Sequence, residues 1–199
     1  MRRGIVLLVS AVLLPLLLVT GCGEDRKIAK PATANELVQT GLIQLNKGDQ
    51  AKALESFEQA AAKEPTNHVA HYNVGVILQE QGKTAEALAA YGRALSAKPD
   101  FVSALFNSAV LYTSTDPDLA ISTYRRIIKL QPIAPTAYLN LGLLEAAKGE
   151  VALARQHLAK AVEQDGSLAS AIPKDVFSAK RVAPASPSPT ASPTATPTG

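Results

Sequence analysis

Three histidines and a single cysteine are the side chains best suited to chemistry in this chain of 199 residues. His68 and His71, with Glu64 nearby, have a spacing that could ligate a metal ion. Structural roles suit them better, because His71 falls at a helix-packing position and His68 at a helix start. His157 stands alone. The sequence has no glycine-rich phosphate loop and no nucleophile elbow, so we predict a protein that is not an enzyme and binds no metal.

The single cysteine, Cys22, excludes an intrachain disulfide framework. It follows a leader, residues 1–21, in which two arginines precede an apolar run from Ile5 to Val19, and then small residues. The run is shorter than the roughly 20 residues that a spanning helix needs, and Pro15 interrupts it. This pattern is typical of an export signal.

The four residues Val19-Thr20-Gly21-Cys22 resemble the lipobox of bacterial lipoproteins, whose cysteine is acylated and becomes the first residue of the mature protein. The resemblance implies a covalent lipid on Cys22 and an exported protein anchored to the bacterial membrane, facing the periplasm or the cell exterior. Since no cofactor-binding motif is found, we expect no other cofactor. Two or more acyl chains hold a protein stably at a bilayer. The alternative, an uncleaved signal anchor, also leaves the protein bound to the membrane.

The charge of the mature chain disfavours nucleic acid as a partner. The full sequence has a formal charge of +3, but removal of residues 1–21 takes away Arg2 and Arg3 and leaves 18 basic side chains against 17 acidic ones. Binding to phosphate backbones requires a basic surface, which this nearly neutral chain lacks. The acidic residues are expected at solvent-facing positions.

Four repeats of nearly constant length organise residues 33–166. Pro65, Pro99 and Pro132 end the first three, and Gly166 ends the fourth. Four further columns align within the repeats: Gly41, Gly75, Ala109 and Gly142; Ala53, Ala87, Ala120 and Ala154; Phe57, Tyr91, Tyr124 and Leu158; and Ala60, Ala94, Ile127 and Ala161.

Each column has a physical reason. Small residues let two helices approach closely, and the large residue four positions after the second-column alanine fills the gap on the same helix face. Gly48, Gly82 and Gly149 permit a left-handed turn after the first helix, whereas the third repeat has Asp116-Pro117 as a helix start. Thr33 begins a capping box. We expect eight helices of about 12–14 residues.

The period and the order small, small, aromatic, small, proline resemble the tetratricopeptide repeat. The resemblance implies an all-α fold, a right-handed superhelical solenoid of four helix-turn-helix repeats with a short C-terminal capping helix, and a non-catalytic role in protein interaction. The repeats are expected at residues 33–66, 67–100, 101–133 and 134–166.

The segments beside the repeats have simpler compositions. Residues 22–32 are a polar, lipidated tether. Residues 167–182 begin a capping helix, and Val176, Phe177 and Val182 could fold back on the end of the last repeat. Residues 183–199 form a Pro/Ser/Thr-rich tail, expected to be disordered and partly polyproline II because it has no large apolar side chain to bury. The tail is either glycosylated or a plain solvated segment.

Proteins with tetratricopeptide repeats bind peptides on the inner face of their first helices, so the resemblance implies a groove there. In this family an asparagine in one inner column often hydrogen-bonds the backbone of a bound peptide, although it is common there without a known ligand. Asn73, Asn107 and Asn140 occupy that column. The neighbouring inner positions are apolar: Val38, Leu42, Tyr72, Val76, Phe106, Val110, Leu139 and Leu143. The lysines and arginines by which the chaperone-binding subfamily clamps a carboxylate are absent from these positions, which disfavours that mode.

These observations predict a membrane-anchored, non-catalytic adaptor of the bacterial cell envelope. Its groove would dock an apolar peptide or helix of another envelope protein, as in the assembly of an envelope complex. The alternative is a structural, self-associating lipoprotein. In that case the groove is filled by another copy, which gives a homodimer, or by the chain's own tail.

Overall fold

The computed structural model describes residues 31–176, and every regular element in that range is a helix. In chain order the elements are α1 (Ala34–Asn46), α2 (Gln50–Lys63), α3 (His68–Glu80), α4 (Thr84–Ala97), α5 (Val102–Thr115), α6 (Pro117–Leu130), α7 (Pro135–Ala147), α8 (Val151–Gln164) and a 3-10 helix (Gly166–Ala171). These bounds confirm both the all-α fold and the predicted helix lengths. Cys22, the leader, most of the tether and the tail lie outside the described residues.

The helices pack in the order in which they occur. The first and second helices of each repeat form the largest contacts, and each second helix also packs on the first helix of the next repeat. A stack in which each unit contacts its neighbours is a solenoid. Among the described residues, no helix combines the length and the hydropathy needed to cross a bilayer.

Small residues in the first helices set the spacing of the helix pairs. A Cβ atom added to Gly75 would stand 2.5 Å from the ring of Tyr91, which is fully buried between the two helices. The ring therefore occupies the space that a side chain on α3 would need. The same relation holds for two other pairs, Gly41 with Phe57 and Gly142 with Leu158.

The helix ends follow the predicted turn chemistry. Gly48, Gly82 and Gly149 adopt φ angles of 77°, 74° and 81°, a left-handed conformation that side chains rarely tolerate. The third repeat differs, because Asp116 both ends α5 and caps α6 by accepting a hydrogen bond from the amide of Leu119 at 3.0 Å. Its two helices are therefore joined without a glycine turn.

The first helix begins at the predicted capping box. The hydroxyl of Thr33 accepts from the amide of Glu36 at 3.2 Å, and the Glu36 carboxylate accepts from the amide of Thr33 at 2.6 Å. The bond from the Thr33 amide to the carboxylate is the largest cause that lowers the pKa of Glu36, and the Thr33 side chain adds to this effect.

The described chain ends on the last repeat. The predicted capping segment is a short 3-10 helix, and the amide of Ser167 bonds the carboxylate of Asp165 at 3.0 Å. Leu168, Ile172 and Val176 pack against the core of α7 and α8. Phe177 and Val182, which could continue this cover, lie outside the described residues.

Candidate functional site

The two paired histidines have structural partners. The Nε2 atom of His71 lies 2.9 Å from the carbonyl oxygen of Pro65, so the buried imidazole ties α3 to the preceding loop. The ring of His68 meets the ring of Phe101 edge-on at 5.0 Å between centroids. Within residues 31–176, no three His, Cys, Asp or Glu side chains come together as a metal site.

A cleft runs between α5 and α7, with α6 beneath it. Tyr124 and Ile127 of α6 are buried and form its floor. We call this the α5–α7 cleft. Two cavities lie along it: a smaller one of about 400 Å³ near the start of α7, and a larger one of about 670 Å³ near the end of α7. Cavities of this size lie within the range of binding pockets.

Side chains of both helices line each cavity. The smaller cavity is lined by Tyr72, Val102, Ser103, Phe106, Asn107, Ile127, Gln131, Ile133, Ala134, Pro135, Thr136 and Ala137. The larger cavity is lined by Val110, Thr113, Pro117, Tyr124, Asn140, Leu143, Leu144, Ala147 and Lys148.

Six of the eleven predicted groove residues meet in this cleft. Three line each cavity: Tyr72, Phe106 and Asn107 the smaller one, and Val110, Asn140 and Leu143 the larger one. The other five lie elsewhere. Val38, Asn73 and Leu139 are buried, and Leu42 and Val76 are half-buried beside the cores of the first two repeats.

The three asparagines of the inner column have different hydrogen-bond partners. The amide nitrogen of Asn73 donates to the carbonyl of Val69 in its own helix at 2.8 Å. In the cleft, the amide of Asn107 donates to the hydroxyl of Tyr91 at 3.2 Å, and that of Asn140 to the hydroxyl of Tyr124 at 3.0 Å. Asn107 also donates to the hydroxyl of Tyr72 in α3 at 3.4 Å, so both of its N–H groups are used. Asn140 ties α7 to α6 through one N–H group and keeps the second.

Burial keeps the two tyrosine hydroxyls protonated. It raises the pKa of Tyr91 to about 12, against the smaller opposing effect of the bond from Asn107. The pKa of Tyr124 is raised for the same reason. The Tyr91 hydroxyl consequently donates to the side-chain oxygen of Gln79 at 2.7 Å while it accepts from Asn107. These bonds hold the asparagines at fixed positions in the cleft wall.

Two lining residues, Ile133 and Pro117, lie at turns and belong to none of the repeat columns. Ile133, in the turn before α7, is 74% exposed at the rim of the smaller cavity, where the other repeats have Thr66, Asp100 and Ser167. Pro117, from the turn that lacks glycine, lines the larger cavity. The sequence did carry a signal for each residue. Ile133 is apolar where the other repeats have a polar turn residue, and Pro117 lies at a turn that lacks the usual glycine.

The surface of the cleft is nearly free of charge. Lys148 is the one charged side chain among the lining residues of the two cavities. Its ammonium group bonds the carboxylate of Asp118, which raises the pKa of Lys148. The α5 helix carries no charged residue, and α1, α3 and α7 carry one carboxylate each, whereas every second helix carries between two and four charges.

A buried polar cluster lies beside the cleft and was missed from the sequence. The carboxylate of Glu145 in α7 is fully buried, accepts from Arg125 at 2.9 Å and lies 2.6 Å from Nδ1 of His157. The expectation that acidic residues face solvent is therefore wrong for Glu145, and His157 is not isolated. This cluster joins α6, α7 and α8.

Comparison of the sequence with family profiles identifies the repeat. The profile described as tetratricopeptide repeat matches residues 38–100, 75–115 and 110–169, which together cover more than half of the chain. Each match includes parts of more than one helix pair, consistent with a continuous array.

Two curated proteins illustrate the sequence similarity. The photosystem I assembly protein Ycf3 of Prochlorococcus marinus is 29% identical over 103 residues, 50% of this chain and 59% of that protein. The peroxisomal targeting signal receptor of Saccharomyces cerevisiae is 37% identical over 70 residues, 35% of this chain and 11% of the receptor. The chain thus spans less than two thirds of either relative.

Two crystal structures share the architecture. MamA is 25% identical with a TM-score of 0.64, over 71% of this chain and 84% of that one. A repeat protein from Parabacteroides merdae is 31% identical with a TM-score of 0.61, over 67% of this chain and 54% of that one. The helix array described above therefore recurs in solved structures.

Proposed function

The chain belongs to the tetratricopeptide repeat family, and on that premise we propose that it is a non-catalytic adaptor of the bacterial cell envelope, anchored to the membrane through Cys22. Members of the family mediate contacts between proteins. The α5–α7 cleft docks an uncharged, apolar peptide or helix of an envelope partner. Assembly of an envelope complex is the role that we infer, since one relative is named as an assembly protein.

The near absence of charge in the cleft carries this proposal. A site for a terminal carboxylate or an acidic peptide needs arginine or lysine donors, but α1, α3, α5 and α7 carry neither. The one cation of the lining, Lys148, is already paired with Asp118, so a charged ligand would lose hydration without gaining an unpaired ion partner. An apolar segment loses little and gains from burial in the two cavities.

A charge placed in the larger cavity should abolish docking. Val110 is 38% exposed in its wall, so Val110→Lys should leave the fold intact and reduce affinity at least about tenfold, since burial of an ammonium group opposes binding. Selection from a displayed library of short random peptides measures this. We expect uncharged, apolar peptides to bind the native protein.

The matched control is Leu119→Lys, because Leu119 is 41% exposed and lies outside both cavities. The control should select the same peptides as the native protein. Peptides that bind the native protein and Val110→Lys equally well would contradict docking in the cleft, as would a preference for acidic peptides.

The anchor is tested separately at the N-terminus of the mature protein. Mass spectrometry of protein purified from bacterial membranes should find Cys22 as the first residue with at least two acyl chains, the number needed for stable attachment. A Cys22→Ser variant should remain unprocessed. An unmodified Cys22 in the mature chain would contradict the anchor and leave docking in the cleft unaffected.

A further inference from the structure

The described chain ends beside one wall of the α5–α7 cleft. Val176 packs against the cluster formed by Leu139, Leu158 and Ala161 of α7 and α8. Half-buried Leu143, which lines the larger cavity, packs against the same cluster. The segment that follows Val176 therefore leaves the fold close to α7.

The chemistry of that segment matches the chemistry of the cleft. From Val182 to Thr198 no side chain carries a charge, and five prolines alternate with Ala, Ser and Thr. The cleft presents aromatic rings, amides and hydroxyls but hardly any charge. Polyproline II segments make no internal hydrogen bonds and bind aromatic-lined grooves through proline rings and free carbonyls.

The cleft offers partners for the proline rings and for the free carbonyl groups of such a segment. Phe106 and Tyr124 meet edge-on, with centroids 5.9 Å apart, where the two cavities adjoin. In the smaller cavity the Tyr72 hydroxyl accepts from Asn107 at 3.4 Å and keeps its own hydrogen for a carbonyl. In the larger cavity Asn140 keeps one amide hydrogen beside its bond to Tyr124. An extended segment along the cleft would thus pass an aromatic surface with a donor in each cavity.

The length of the tail allows it to return. As polyproline II, the segment 177–199 would span roughly 70 Å, whereas α5 lies only about two helix-packing distances, roughly 20 Å, from α7. A segment tethered so closely has an effective concentration in the millimolar range, so even weak affinity would fill the cleft.

From these observations we propose that residues 184–199 of the same chain occupy the α5–α7 cleft and compete with a partner for it. This inference rests on the proposed function of the cleft as a docking site. The tail then lowers the apparent affinity of the cleft for a partner, because a partner binds only the fraction of molecules whose cleft is open. A partner segment must be apolar enough to displace an uncharged, proline-rich sequence.

A tryptophan in the cleft reports the occupancy, because the chain has no tryptophan of its own. In the full chain carrying Phe106→Trp, we compare quenching by acrylamide with the native tail and with the triple change Pro187→Asp, Pro189→Asp and Pro193→Asp. A tail that occupies half or more of the clefts should lower quenching about twofold, and the charged tail should remove this protection.

The matched control keeps the tail uncharged. Ala185→Ser, Ala191→Ser and Ala195→Ser retain its length and all five prolines, and should leave quenching unchanged. A synthetic peptide of residues 184–199 should restore protection to the charged-tail variant. If circular dichroism shows that Phe106→Trp unfolds, Leu143→Trp reports from the larger cavity instead.

Equal quenching with native and charged tails would overturn the proposal. Protection that increases with protein concentration would also overturn it, because the occupant would then be a second copy. Neither result affects docking of a foreign segment, which the library selection with Val110→Lys measures without reference to the tail.

Discussion

Gly75→Ala is expected to destabilise the protein by about 1–3 kcal/mol, the range measured for overpacked cores. The new Cβ would lie 2.5 Å from a ring carbon of Tyr91. That ring is fully buried, and its hydroxyl is held by Gln79 and Asn107, so it cannot move aside cheaply. The helices α3 and α4 would have to separate.

The expected loss of stability is informative because helix propensity alone predicts a gain. Alanine favours a helix over glycine by up to about 1 kcal/mol. Gly92 in α4 provides the matched control, since it is exposed and a Cβ there would meet nothing within 4 Å. Gly92→Ala should therefore stabilise the protein. Urea unfolding followed by circular dichroism measures both changes, and equal effects would contradict the close approach at Gly75.

The third repeat shows how far the sequence columns can predict the structure. The columns predicted the helices and which residues are small or large where two helices meet, because those positions recur within each repeat at a fixed spacing. The structure shows that they pair as Gly41–Phe57, Gly75–Tyr91 and Gly142–Leu158. The third repeat places Ala109 opposite Tyr124, and its turn lacks glycine. The sequence shows both differences from the other repeats. It could not predict the cavity beside that turn, because the cavity depends on the distance between α5 and α7.

The groove residues were predictable only as a set of positions. A repeat pattern assigns equivalent roles to Val38, Tyr72, Phe106 and Leu139, but burial depends on the neighbour in the next unit. Leu139 is covered by the cluster that includes the end of the described chain, whereas Phe106 lines the cleft. The repeat pattern did not predict Ile133 as a lining residue, because Ile133 lies in a turn rather than on an inner helix face.

Glu145 could not be predicted because its partners are distant in sequence. Arg125 precedes it and His157 follows it, each in a different helix and more than three helical turns away along the chain. No local spacing marks such a cluster. Its position suggests a simple physical role, since a buried carboxylate requires partners from the helices that surround it.

Arg125→Met is accordingly expected to destabilise the protein by about 2–4 kcal/mol, because it leaves the Glu145 carboxylate buried with one partner fewer. Glu145→Leu should cost less, since Arg125 is 51% exposed and water can solvate it. The double change should recover part of the loss, because the charge that needed compensation is gone. Unfolding in urea measures all three.

Lys129→Met is the matched control for loss of a cation from α6, because Lys129 is exposed. A surface change of this kind should alter stability by no more than about 0.5 kcal/mol. If Arg125→Met is as mild as Lys129→Met, the cluster does not hold the last two repeats together. If it is costly and the double change is not, the buried carboxylate makes the packing of α7 depend on α6, so that the wall of the cleft carrying Asn140 and Leu143 is positioned through Arg125.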